Sequence, residues 1–161
     1  MIFLLSLFVI SSFVPSLSPQ DPNPGYHIVI YKHEFSLVLF RGNEAVKRYK
    51  ICVGKNSGNK MKRGDMKTPE GKFVISQVQN SSYWVHDFKD GKGAIAGAYG
   101  PWFLRLKAVS GTDWKGIGIH GTHDPASIGT QASEGCVRMN NDDLKELKRS
   151  VRRGLPVTIL P

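Results

Sequence analysis

The chain is 161 residues long and 40% apolar, with 22 Lys and Arg against 13 Asp and Glu for a formal net charge of +9. That length and apolar fraction suit one globular domain around a single core and leave no room for a second. The positive excess asks for an anionic partner. It is scattered, with Lys60, Lys62, Arg63 and Lys67 in one group and Lys145, Lys148, Arg149, Arg152 and Arg153 in another. No nucleic-acid motif accompanies either group, so nucleic acid is not expected.

Residues 1–18 (MIFLLSLFVISSFVPSLS) carry no charge and hold an apolar run shorter than the ~20 residues of a membrane-spanning helix. An export signal ending near Ser16 to Ser18 is expected. Because no Lys or Arg follows Met1, an uncleaved membrane anchor is the alternative, and either places the protein in the periplasm or cell envelope. No cysteine lies near this segment, which argues against a lipoprotein anchor. For an exported chain, an anionic cell-wall polymer fits the charge. Residues 19–25, with Asp21-Pro22-Asn23-Pro24-Gly25, have linker composition, and residues 26–161 form the domain.

Residues 26–31 (YHIVIY) and 35–40 (FSLVLF) are β-branched and aromatic runs joined by Lys32-His33-Glu34, the pattern of a hairpin. His27 and His33 have no spaced partner and read as ordinary surface histidines. Residues 41–44 turn the chain into a third strand, 45–53, in which Cys52 is a small buried hydrophobe. Residues 55–67 are polar, basic and glycine-bearing, a long surface loop. Thr68-Pro69-Glu70-Gly71 is a tight turn into a strand at 72–77. Residues 80–100 interleave Tyr83, Trp84, Phe88 and Tyr99 with Gly91, Gly93 and Gly97, composition suited to a flap over a cleft or to a loop covering the core. His86-Asp87 alone is too little for a metal site. A strand follows at 102–106.

Residues 117–140 (IGIHGTHDPASIGTQASEGCVRMN) are the stretch around which the rest is organised. The alternation Ile117-Gly118-Ile119 ends a buried strand and delivers His120 at its edge. Sixteen positions on comes Cys136, after Gly135. A thiol is a poor nucleophile unless an imidazole or a positive dipole supports the thiolate. The loop's glycines and Pro125 permit the fold-back that would join the two. A structural disulfide between Cys52 and Cys136 is the plain alternative in an oxidising compartment. The glycine-flanked setting of Cys136 favours a free thiol. Beyond it, Asn140 or Asn141 caps a helix with Asp142 and Asp143 in its first turn and Lys148, Arg149, Arg152 and Arg153 at its end. Leu144, Leu147 and Val151 face the core, Gly154 stops the helix, and residues 155–159 form a last strand. The residues thus describe a mainly β fold with a minor α part, one helix beside a predominantly antiparallel sheet.

Three clusters, His120-Gly121-Thr122, Pro125-Ala126-Ser127-Ile128-Gly129 and Ser133-Glu134-Gly135-Cys136-Val137-Arg138-Met139, together resemble the signature of the L,D-transpeptidase catalytic domain, the YkuD-type domain. Thr68-Pro69-Glu70-Gly71-Lys72-Phe73 is similar to that family's TPxG(x)F turn. The resemblance covers roughly residue 26 to the C-terminus. It implies a single β-sandwich domain with the principal helix after Cys136, needing no cofactor. One departure stands out: the family often has His where this chain has Glu134.

The residues propose acyl transfer through a thioester, with Cys136 attacking a peptide carbonyl and His120 as base, then acid. Backbone N–H groups at Gly135 and Cys136 are the expected oxyanion donors. The family pattern gives the Gly121 carbonyl the task of orienting the imidazole. Arg138 is expected to grip a substrate carboxylate or else to pair with Glu134 or Asp142, and Ser133, also placed at the substrate site, bonds within the loop. The resemblance implies peptidoglycan stem tetrapeptides as donors, an amine acceptor, inhibition by carbapenems, and a monomer. Water as acceptor would make the same site an L,D-carboxypeptidase, and a wall-anchored protein is a third acceptor. Two other readings are a zinc hydrolase using His120, His123 and Cys136, and a wall-binding module without turnover, which Glu134 encourages by opposing ionisation of the thiol.

Overall fold

The computed structural model of the protein describes residues 25–161; the expected leader and all of the linker but Gly25 lie outside them. The β-rich half of the sequence folds in the order its patterning suggests. β1 (Tyr26–Tyr31) and β2 (Ser36–Arg41) form the hairpin, and β3 (Glu44–Gly54) returns along β2. β3 is exposed along its first half and buried from Ile51 onward. That second half leaves β2 behind and acquires other partners.

Those partners are the short strands of the central motif. β4 (Gly71–Asn80) pairs with β7 (Trp102–Ala108), and β7 with β8 (Gly118–His120). β9 (Gln131–Ser133) and β10 (Val137–Met139) follow, and the C-terminal β11 (Pro156–Leu160) inserts parallel to β1 and antiparallel to β4. The order is β10-β8-β7-β4-β11-β1-β2-β3-β9, and β10 also pairs with β3 through Arg138↔Cys52 and Met139↔Ile51. The expected sandwich is therefore one continuous sheet that curls over and is pinned to itself by β10. Inside lie Ile28, Ile30, Leu37, Ile51, Ile75, Leu104 and Ile119, each 0% exposed, and burying a side chain of this size stabilises by about 1.5–3 kcal/mol.

β5 (Val85–Asp87) and β6 (Ala94–Ala96) make a separate two-stranded hairpin within residues 80–100. The helix, α1 (Asn141–Lys148), buries Leu144 and Leu147 as expected but is shorter than the charge pattern suggests. After Lys148 the backbone tightens into three-residue bonds, Arg149 N–H to Glu146, Ser150 to Leu147 and Val151 to Lys148. The β-branched Val151, a poor helix former, reaches the core from that irregular turn. Gly154, at φ +89, does not stop the helix. It turns the chain into β11, its N–H donating to the Ile75 carbonyl at 2.8 Å.

Candidate active site

β8 and β10 lie side by side and parallel, with Val137 opposite Ile119 and Arg138 opposite His120. This register puts the residue before β10, Cys136, beside the start of β8 and leaves His120 at its end. Both line one cleft of about 480 Å³. Cys136 and Cys52 are both free: Cys52 is wholly buried, its thiol pushed up by that burial, and Cys136 is half-buried at the cleft wall. The two do not form the alternative disulfide.

His120 is 3% exposed. Its ring lies flat against Phe103 (5.4 Å between centroids, 7° between planes) and meets the edge of Tyr99 at 4.9 Å. Nδ1 lies 2.6 Å from the Gly121 carbonyl oxygen. A carbonyl only accepts, so Nδ1 carries the proton and Nε2 keeps its lone pair. Burial pushes the imidazole down to about 3, the Gly121 bond opposing that and Arg138 adding to it. The ring at rest is a neutral base. The Cys136 thiol, pushed up by burial to about 11 against the help of the Gly118 N–H and of Arg138, is equally neutral at rest and donates to the Gly116 carbonyl at 3.3 Å.

The loop carrying Cys136 is closed by Ser133. Its hydroxyl donates to the Cys136 carbonyl at 2.5 Å and accepts the Gly135 N–H at 3.1 Å. Gly135 adopts φ +127, and a Cβ there would come within 2.8 Å of the Lys67 carbonyl, so only glycine fits. The Gly135 N–H is thereby committed to Ser133.

Asn141, considered above only as a helix cap, has a larger task. No side-chain cap is formed at α1. Asn141 Oδ1 accepts the Thr122 N–H at 2.9 Å and its Nδ2 donates to the Thr122 carbonyl at 3.0 Å, clamping the loop behind His120. A Cβ on Gly121 would fall 2.2 Å from that same oxygen, which explains the glycine after the histidine. Nothing in the local sequence announces this contact.

The β5–β6 hairpin roofs the cleft. Phe88 takes the Arg138 guanidinium over its face at 5.1 Å and stacks on His123 at 5.0 Å, while His86 Nε2 lies 3.0 Å from Glu134 Oε2. Arg138, 6% exposed, therefore pairs with neither Glu134 nor Asp142: Glu134 is engaged by His86, and Asp142 accepts from Lys145. His123 is drawn to the hairpin, its Nδ1 donating to the Ala98 carbonyl at 3.3 Å. Among the described residues no three His, Cys, Asp or Glu side chains are gathered to hold a metal ion.

Two further cleft features escaped the sequence. Arg105 of β7 is aimed by its Nε, which donates to the side-chain oxygens of Gln77 and Gln79 at 3.1 Å each. The loop at residues 55–67 is organised by Asp65, which accepts from Lys60 Nζ at 2.7 Å and from the N–H groups of Met61, Lys62 and Lys67. Desolvation works against the charged carboxylate, and these donors outweigh it and hold Asp65 well below the usual range.

The model of the L,D-transpeptidase catalytic domain, YkuD, matches residues 25–159. The chain belongs to that family. YkuD of Bacillus licheniformis is 32% identical over 151 residues, 94% of this chain and 74% of the relative. Among solved structures, the catalytic domain of the E. faecium L,D-transpeptidase superposes with a TM-score of 0.61 at 20% identity, covering 84% of this chain and 96% of that one. L,D-transpeptidase 3 of Mycobacterium tuberculosis, in complex with a faropenem-derived adduct, gives a TM-score of 0.64 at 15% identity over 86% of this chain and 61% of that one. At such identities these likenesses establish the fold, and the chain spans about half to three-fifths of several solved relatives. The mainly β fold with its one helix, read from the sequence, is the fold of this family.

Proposed function

We propose that the protein is a peptidoglycan L,D-transpeptidase of the cell envelope that forms a thioester on Cys136. The observation carrying this reading is the parallel β8–β10 register, which brings His120 and Cys136 into one open cleft from distant points of the chain. Cys136 Sγ attacks the carbonyl of a stem-peptide bond as Nε2 of His120 takes the thiol proton, and the imidazolium then returns it to the leaving amine. The Gly121 carbonyl holds the ring in the tautomer this requires. With the Gly135 N–H bound to Ser133, the Cys136 N–H is the oxyanion donor that the loop retains.

Family membership, the faropenem-derived adduct on a solved relative and the basic cleft, with Arg63, Arg105, Lys115 and Arg138 on its walls, support an anionic peptide donor. Purified muropeptides incubated with the protein and followed by mass spectrometry test the proposal. Cross-linked dimers or trimmed tripeptides are expected, and Cys136→Ser and His120→Ala each lose nearly all product while Cys52→Ser keeps most of it. Equal loss in a folded Cys52→Ser protein would overturn the assignment of the nucleophile.

A further inference from the structure

Among the described residues, Glu134 is the one carboxylate lining a cleft that also holds Lys60, Arg63, Arg105, Lys115 and Arg138, and it stands two residues before the thiol. It is held there. His86 reaches down from the β5–β6 hairpin to place Nε2 3.0 Å from Glu134 Oε2. The His86 ring is itself fixed edge-on by Phe88 at 4.4 Å and Tyr99 at 5.5 Å. A carboxylate only accepts, so Nε2–H donates to Oε2 and leaves Oε1 open to the cleft. Half-exposed, with side-chain exposures of 28% for His86 and 37% for Glu134, the pair is reachable by a ligand. A negative charge beside the nucleophile opposes formation of the thiolate, so it serves poorly as support for the first step. It suits a positively charged group that arrives afterwards.

We infer that Glu134, positioned by His86, is the docking point for the acceptor amine and selects a protonated amine over water in the second half of the reaction. This rests on the thioester reading above. The acceptor enters as an ammonium, hydrogen-bonds Oε1 of Glu134 and gives it one proton, which then passes to water. The freed amine attacks the thioester carbon, the C–N bond forms and the C–S bond breaks. The second proton of the amine goes through His120 to the departing sulfur. The sum is ammonium plus thioester giving amide, thiol and one released proton.

The partition of an acyl-enzyme is independent of how fast it forms, so the test reads product ratios. With a stem tetrapeptide donor, the protein is offered Nα-acetyl-lysinamide, whose side amine is charged at neutral pH, or hydroxylamine, which is not. Amide and hydroxamate are each measured against hydrolysed product by mass spectrometry. Glu134→Gln is expected to lower the lysinamide-to-water ratio about tenfold, the scale of one hydrogen bond to a charged group, and to leave the hydroxylamine-to-water ratio within about twofold. His86→Asn, which frees the carboxylate to swing, is expected to fall between. An unchanged lysinamide ratio in Glu134→Gln, an equal fall for both nucleophiles, or a wild-type protein that only hydrolyses overturns the acceptor site. Absence of any acyl adduct on wild-type Cys136 overturns the thioester reading and this one together.

Discussion

At the scale of single residues, Cys136 and His120 are both uncharged at rest. Burial pushes the Cys136 thiol up to about 11 and the His120 imidazole down to about 3, so between those values neither gains by ionising alone. A group whose thiolate form is disfavoured reacts in proportion to its small ionised fraction, which grows tenfold per pH unit below its pKa. Iodoacetamide labelling of Cys136, followed by intact mass, is therefore expected to accelerate from pH 7 to pH 10 without levelling, and Cys136→Ala to remove the adduct. A plateau near pH 7 would mean a preformed thiolate–imidazolium pair. The task of Gly121 came from the family resemblance alone, whereas Cys136 and His120 were legible because a glycine-flanked thiol and an imidazole at a strand end both fall within residues 117–140. The Glu134–His86 pair was not, since its halves are 48 residues apart and neither position has local chemistry that names the other.

At the scale of elements, the site is held from behind by α1 and from above by the hairpin. Asn141 supplies both partners of the Thr122 backbone. Asn141→Ala strips a buried N–H and carbonyl of their bonds, a loss of about 1–3 kcal/mol. A melting temperature lower by roughly 3–10 °C and a fall in turnover are expected in thermal melts and product assays. An unchanged melt would show that water replaces the side chain. The long strands and α1 were readable from periodicity, whereas β9 and β10 were not. Three residues give no period, and Gln131–Ser133 and Val137–Met139 are strands only because β3 and β8 offer them hydrogen bonds. The helix ends earlier than its basic run suggests for a related reason: that run suits a helix C-terminus, but placing Val151 in the core requires the tighter turn.

For the whole molecule, a formal net charge of +9 acts on any anionic polymer before a specific contact is made. Retention on isolated peptidoglycan carrying phosphate polymers is expected to fall steeply between 50 and 500 mM NaCl, as the screening length shrinks from roughly 14 to 4 Å, whereas labelling of Cys136 is expected to hold. Salt-independent retention, read by sedimentation, would place recognition in the cleft alone. The seam where β10 meets β3 has a different consequence. Its partners, Met139 with Ile51 and Arg138 with Cys52, lie far apart in sequence, and pairings so remote carry a closure cost that delays them behind local hairpins. That seam fixes one edge of the strand that follows Cys136, while the Gly118 amide beside the sulfur comes from its other edge, through β8. A chain in which that seam is still open thus leaves Cys136 to water, its thiol nearer the ordinary range than burial in the finished fold allows.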